Sequence, residues 1–168
     1  MKYNLAKDKF IQTWGTLGSS WGISRTMAQV HALLLISPEA LSAEEIMADL
    51  KISRGNANMT IRDLMGWGLV FKELRAGDRK EYFIAEKDIW KVAKQIIKER
   101  RKREIEPVLA VLEELKKIEG AKDDKKNKAF VEAVTNIESV VEKADFALDR
   151  AIKLDENALV NALFKLFK

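Results

Sequence analysis

"ALSAEEIMADLKISRGNANMTIRDLMGWGLVFKELRAGDRKEYFIA", Ala40 to Ala85, decides the fold of this chain. Ser42-Ala43-Glu44-Glu45 is a capping box: the Ser42 hydroxyl takes the Glu45 amide, and the Glu45 carboxylate reaches back to the Ser42 amide. The short helix it opens ends near Leu50. Ser53 is the next N-cap, with Leu50-Lys51-Ile52 as connector, and the second helix runs to about Gly66, where "GWGLV" stops it. Two short helices around so tight a connector make a helix-turn-helix. The period then changes. Val70, Phe71, Tyr82, Phe83 and Ile84 favour strands, and Gly77-Asp78 lies between them at a hairpin tip. A hairpin directly after a helix-turn-helix is a wing.

The second helix is built from poor helix formers, "SRGNANMT", Ser53 to Thr60. Placing Ala57, Ile61 and Leu64 on the buried side puts Gly55, Asn58, Met59, Arg62 and Gly66 opposite, at about 100° per residue. Arg54 lies at the edge, in the first turn. Propensity is given up where burial does not need it. A recognition helix in a major groove gives a reason: its N-terminal residues meet base edges. Asn pairs with adenine, Arg with guanine, and Met lies against a thymine methyl. Ser53, Arg54, Asn56, Asn58, Met59 and Arg62 are the candidate readers. Gly55 lets backbone approach backbone, and the helix amides from Ser53 onward suit a phosphate. A solvated helix face with a serine cap explains the same residues, and on this helix alone the two readings stand level.

In the wing, Arg75, Arg79 and Lys80 surround the tip, and Asp78 is placed to hold Arg75 or Arg79 by a charge-assisted hydrogen bond. An arginine on a narrow hairpin enters a minor groove best where A·T-rich sequence narrows it. Taken by itself, a polar tip of mixed charge is the simpler account.

Outward from this core, residues 2–18 read as an amphipathic helix through Leu5, Phe10, Ile11, Trp14 and Leu17. "GSSWG", Gly18 to Gly22, reads as a break. A helix resumes from Ser24 to Ile36, and Pro38 ends it by forcing Ser37 out of helical geometry. Asp88 to Glu119 is again helical, with Pro107 expected to kink or restart it. "GAKDDKKNK", Gly120 to Lys128, reads as a polar loop. A long helix over roughly 124–153 follows, then a last one capped by Asp155. The expected class is mainly α with a small β-hairpin wing. The expected division is 1–22 for an N-terminal dimerisation helix, 23–87 for the winged helix-turn-helix and 88–168 for a C-terminal helical dimerisation region.

Composition narrows the function. The 168 residues carry a net charge of +4, yet residues 24–90 hold 9 basic against 10 acidic groups, so any nucleic-acid surface must be local. Within 53–80 the balance is 6 basic to 3 acidic. No Cys is present and His31 is the only histidine, which leaves little room for a thiol nucleophile, a metal centre or a triad. Neither a Walker loop nor a dinucleotide fingerprint occurs, so no enzyme and no cofactor are expected. The absence of a signal-peptide core or an apolar run of about 18–20 residues reads as cytoplasmic, with no membrane role.

The stretch "AEEIMADLKISRGNANMTIRDLMGWGLVFKELRAGDRKEYF" resembles the winged helix of the MarR superfamily. "WGTLG", "SRTMAQVHALLLISPEALSAEEI", "ISRGN", "WGLV" and "GDRKEYF" are similar to its GbsR branch, transcriptional repressors linked to choline and glycine betaine genes. The resemblance spans about residues 10 to 118. It implies a homodimer paired through the first helix and the C-terminal helices. It also implies double-stranded DNA as partner, read by the helix from Ser53, with "GDRK" as the wing contact. Those roles fall on Arg54, Asn56, Asn58, Met59, Arg62, Arg75, Arg79 and Lys80. Choline and betaine carry a quaternary ammonium, which aromatic rings cage by cation–π attraction. Trp14 and Trp21, seven apart, are the candidates for such an effector site, although four tryptophans are as readily placed in a core. "KERRKR", Lys98 to Arg103, touches flanking phosphates in one reading, and in the plainer one is a solvated or ion-paired helix face. The alternative to a DNA reader is a winged-helix module whose outward face binds protein.

Overall fold

Helix α2 (Arg25–Ile36) buries Met27, Ala28, Val30, His31, Ala32, Leu33 and Leu34. A helix apolar around most of its circumference needs cover on several sides. In the computed structural model, which describes residues 1–118 and 124–154, α2 is covered by helix α1 (Tyr3–Ser20), helix α4 (Arg54–Gly66) and strand β3 (Glu81–Ala85). Helix α1 comes so close that a Cβ on Gly18 would stand 2.5 Å from the Ala28 Cβ. The break expected at Gly18 therefore starts later. Gly18 packs within α1, the helix continues to Ser20, and the chain turns through Trp21 and Gly22, the latter with φ +76.

At the other end of α2, Ser37 is extended, with φ −74 and ψ 128, as a residue before proline should be. Three carbonyl oxygens there, of Leu34, Leu35 and Ser37, accept hydrogen bonds from the Lys87 ammonium at 2.6, 3.0 and 2.6 Å. A lysine at a helix C-terminus satisfies orphan carbonyls and complements the dipole. Lys87 thereby ties the segment after β3 to the end of α2.

The helix-turn-helix is α3 (Ala43–Leu50) and α4. Its capping box forms: the Glu45 amide donates to the Ser42 hydroxyl at 3.3 Å, and the Ser42 amide donates to the Glu45 carboxylate at 2.7 Å. The bond from the Ser42 amide is the main reason that carboxyl is held below its usual range. The connector turns at Lys51, a non-glycine residue at φ 54, which costs about 1 kcal/mol. Ile46, Ala57, Thr60, Ile61 and Leu64 face inward.

The wing is β2 (Val70–Leu74) and β3, antiparallel, with Val70 opposite Ala85 and Leu74 opposite Glu81. A third strand, β1 (Leu41–Ser42), pairs with β3 and gives the order β1-β3-β2. The sequence reading lacked it, because two residues are too short to show a period of two.

These elements form one compact unit, residues 1–92; residues 93–168 form a second. Helix α5 (Ile89–Arg100) contains the boundary. In the second unit it runs into a π-helical turn at Arg101–Ile105, then α6 (Glu106–Leu115). The amide of Glu106 donates to the carbonyl of Arg101, five residues back. Pro107 has no amide to donate, and the wider turn lets the chain pass it without a break. Helix α7 (Lys125–Lys153) matches the long helix expected over roughly 124–153, so the end of the polar stretch, Lys125 to Lys128, is its first turn; the Asp124 carboxylate caps it by accepting from the Lys126 amide at 3.3 Å. The last helix expected from Asp155 lies outside the described residues.

Among the described residues, the second unit buries few side chains: Leu112, Val134, Glu99 and Glu138. Glu138 pairs with Lys116. The three arginines of the basic run are ion-paired within the unit. Arg100 meets Glu104 at 3.0 Å, Arg103 meets Glu99 at 3.1 Å, and Arg101 makes a two-pronged contact to Asp145, with its second prong at 3.0 Å. Among the described residues, no helix is long and apolar enough to cross a membrane.

Candidate nucleic-acid interface

Helix α4 starts at Ser53, whose hydroxyl accepts from the Asn56 amide at 3.3 Å. Ala57, Ile61 and Leu64 are buried, as their spacing requires. Opposite them, Gly55, Met59, Arg62 and Gly66 are exposed and Asn58 is half-buried. Met59 is 59% exposed, high for a large apolar side chain in mid-helix. A Cβ at Gly55 would meet nothing within 4 Å, so nothing inside the chain calls for a glycine there.

The six candidate readers of α4 are not equally free. Asn56 accepts from the Thr60 hydroxyl at 3.3 Å, and Thr60 is buried. Arg54 lies 3.7 Å from Glu44, with both side chains well exposed, a loose surface pair worth little. Ser53 is occupied as cap. Asn58, Met59 and Arg62 remain, and no described residue pairs with their side chains.

The wing divides its charges in the same way. Arg75 is engaged on three sides. Its Nη2 donates to the Ala40 carbonyl at 3.2 Å, its Nε donates to Glu73 at 3.3 Å, and its guanidinium sits over the Tyr82 ring at 3.9 Å. Tyr82 donates its hydroxyl to Asp78 at 2.8 Å, and the Lys80 amide donates to the other Asp78 oxygen at 2.9 Å. The Lys80 amide and then the Tyr82 hydroxyl hold the Asp78 carboxyl below its usual range, while Asp78 pushes the Tyr82 phenol up. The turn closes through the Asp78 amide to the Arg75 carbonyl at 3.1 Å, with Gly77 at φ +81. Arg79 and Lys80 are exposed; among the described residues neither side chain makes a hydrogen bond or a close ion pair, although the Lys80 charge is felt at Asp78 and Glu45.

Asp78 was expected to hold Arg75 or Arg79; instead it holds Tyr82 and the Lys80 amide. Sequence reading also missed Tyr82, Thr60 and Ala40. The only advance signal was Asp two residues before Lys80, the spacing of an Asx turn.

Trp14 and Trp21 are not brought together. The Trp14 ring stacks on Phe10 at 5.5 Å and lies 6.2 Å from His31. Trp21 caps the end of α1, 53% exposed, with no ring contact among the described residues. The pair does not form a cage within the chain. Among the described residues no cluster of His, Asp or Glu could hold a metal ion.

Comparison with known proteins agrees with this geometry. Residues 21–81, from the end of α1 to the first residue of β3, match the model of the MarR family. The HTH-type transcriptional repressor GbsR of Bacillus subtilis (strain 168) is 25% identical over 132 residues, covering 74% of this chain and 73% of its own. A solved structure described as a transcriptional regulator superposes with a TM-score of 0.58 at 20% identity, covering 86% of this chain and 99% of that one, which speaks to the fold. With its winged helix matched by the MarR family model and a GbsR repressor aligned along about three quarters of its length, the chain is similar to the MarR superfamily and to its GbsR branch.

Proposed function

We propose that this transcriptional regulator acts as a homodimer that binds a specific duplex sequence and represses the adjacent genes. Helix α4 would lie in the major groove, with Asn58, Met59 and Arg62 on base edges, and Arg79 and Lys80 would approach the flanking minor groove. One observation carries this reading: among the described residues, the side chains on α4 and on the wing tip that make no hydrogen bond or close ion pair are of the types that read or grip a duplex, whereas their neighbours are tied internally. The half-sites of a dimer would stand about one helical turn, roughly 34 Å, apart. Asn56, Arg54 and Ser53 support the helix start and its phosphate approach. Arg75 and Asp78 support the wing. Repression rests on the GbsR relative. Pairing rests on the exposed apolar residues of the second unit, among them Val140 and Phe146.

The test is binding of the purified protein to its own upstream intergenic duplex against a scrambled one, at two salt concentrations. Selective binding that weakens with salt is expected. Arg62→Ala and Arg79→Ala should each cost roughly tenfold or more, since a good base contact contributes about 1–3 kcal/mol. Neutralising Arg100 and Arg103 should leave the salt slope nearly unchanged, because both already face carboxylates. Full binding by the Arg62, Arg79 double variant would instead favour a module whose outward face meets protein, a reading consistent with the near-neutral middle of the chain.

A further inference from the structure

The wing tip carries an aspartate where a duplex presents only negative charge. Asp78 stays charged, so its use there is internal to the wing: its two oxygens are occupied, one by the Tyr82 hydroxyl and one by the Lys80 amide. The second contact is an Asx turn, and the residue enclosed by it is Arg79. The fixed turn therefore sets the direction in which Arg79 leaves the backbone. Tyr82 is itself fixed: it stands opposite Ser42 in the β1–β3 pairing, and Ser42 is the cap of α3. Arg75 lies on the Tyr82 ring and reaches across to the Ala40 carbonyl, 35 residues away in sequence. A continuous set of contacts thus runs from the start of the helix-turn-helix through Ala40, Arg75, Tyr82 and Asp78 to the turn around Arg79.

A two-stranded hairpin is only marginally stable by itself and depends on packing against other elements. We infer that Arg75, Tyr82 and Asp78 are positioning residues that brace the wing against the helix-turn-helix, so that Arg79 is the side chain that reads the flanking minor groove. This rests on the DNA reading given above. It assigns Arg75 to holding the wing and not to touching the duplex, since its guanidinium is already spent on a ring, a carboxylate and a carbonyl. It also makes the flank preference of the protein, A·T-rich over G·C-rich, depend on one phenolic hydroxyl that never touches DNA.

Tyr82→Phe removes that hydroxyl and keeps the ring under Arg75. Full-length wild type, Tyr82→Phe, Arg79→Ala and the double variant are compared on two duplexes that differ only in the flank beneath the wing. Wild type should prefer the A·T flank. Arg79→Ala should lose the preference, and Tyr82→Phe should lower affinity for the A·T-flanked duplex about three- to tenfold. The double variant should match Arg79→Ala, because the hydroxyl acts through Arg79. Independent, additive losses, or an unchanged flank ratio in Tyr82→Phe, would overturn the inference. Amide hydrogen exchange in the free protein gives a second reading. Exchange at Lys80 should quicken in Tyr82→Phe and in Asp78→Asn, and unchanged exchange in both would also overturn the brace. Wild type that binds neither duplex would refute the DNA reading and with it the role of Arg79, while the exchange arm would still decide whether the brace exists.

Discussion

A helical glycine such as Gly55 costs about 1 kcal/mol relative to alanine. Because a Cβ there would meet no atom of the described residues within 4 Å, Gly55→Ala should raise stability by about that amount in a thermal melt. The same methyl would stand on the outward face, in the space a phosphate backbone would take, so duplex affinity should fall. A variant that is both more stable and fully competent for binding would show that this face meets no duplex. His31 shows the opposite situation, a polar atom inside. Its Nε2 is buried without a hydrogen-bond partner among the described residues, and burial, helped by the charge of Lys87, lowers its pKa to about 4. The unfolded chain takes up this proton near pH 6.5 and the folded chain only near 4. Stability from the neutral ring is therefore complete above about pH 6.5 and lost as pH falls through that window, by up to about 3 kcal/mol. Urea melts between pH 7 and 5 should show the slope, and His31→Leu should flatten it. The outward residues Asn58, Met59 and Arg62 were legible in the sequence because helical spacing fixes them once Ala57, Ile61 and Leu64 are placed. Arg75 was not. Whether an arginine at a turn points outward or lies on a ring depends on Tyr82 and on a carbonyl far away in sequence.

Between elements, the α1–α2 packing is set by what is missing. A Cβ on Gly18 would overlap the Ala28 Cβ at 2.5 Å, while one on Gly15 would meet the flexible Gln29 chain, with its Cγ at 2.8 Å. Overpacking of this kind costs about 1–3 kcal/mol. Gly18→Ala should lower the urea midpoint clearly and Gly15→Ala less, because Gln29 can swing aside and Ala28 cannot. Equal effects would mean that the helices do not touch where they are drawn. Periodicity revealed α1, α2, the helix-turn-helix and both wing strands, but it misplaced the end of α1. Glycine beside serine and tryptophan reads locally as a turn, and only the neighbouring helix shows that Gly18 marks a close approach. Pro107 was legible as an interruption. Its outcome, a π turn carried by Glu106 and Arg101, depends on how the ladder skips one missing donor.

At the scale of the whole molecule, the two units differ in how they keep water out. The first closes around α2 with Val30, Leu33, Leu34, Ile46, Ile61, Leu64 and Val70 all fully buried. The second, among its described residues, buries Leu112 and Val134 and leaves Val111, Ile137, Val140 and Phe146 more than half exposed. Exposed apolar side chains in such number are what a contact surface offers, and the proposed second copy would cover some of them. The melting temperature should then rise with protein concentration, and gel filtration at micromolar concentration should give twice the 19.1 kDa chain mass. A melting temperature independent of concentration, together with a monomeric elution volume, would remove the dimer from the proposal. These exposed apolar side chains also bear on gene control. If α6 and α7 are completed by a partner, the active species forms as the square of the free chain. A modest fall in the number of copies, by growth and division alone, would then clear the operator more sharply than the same fall in a monomeric repressor. Genes under such a protein would acquire a threshold with no ligand involved.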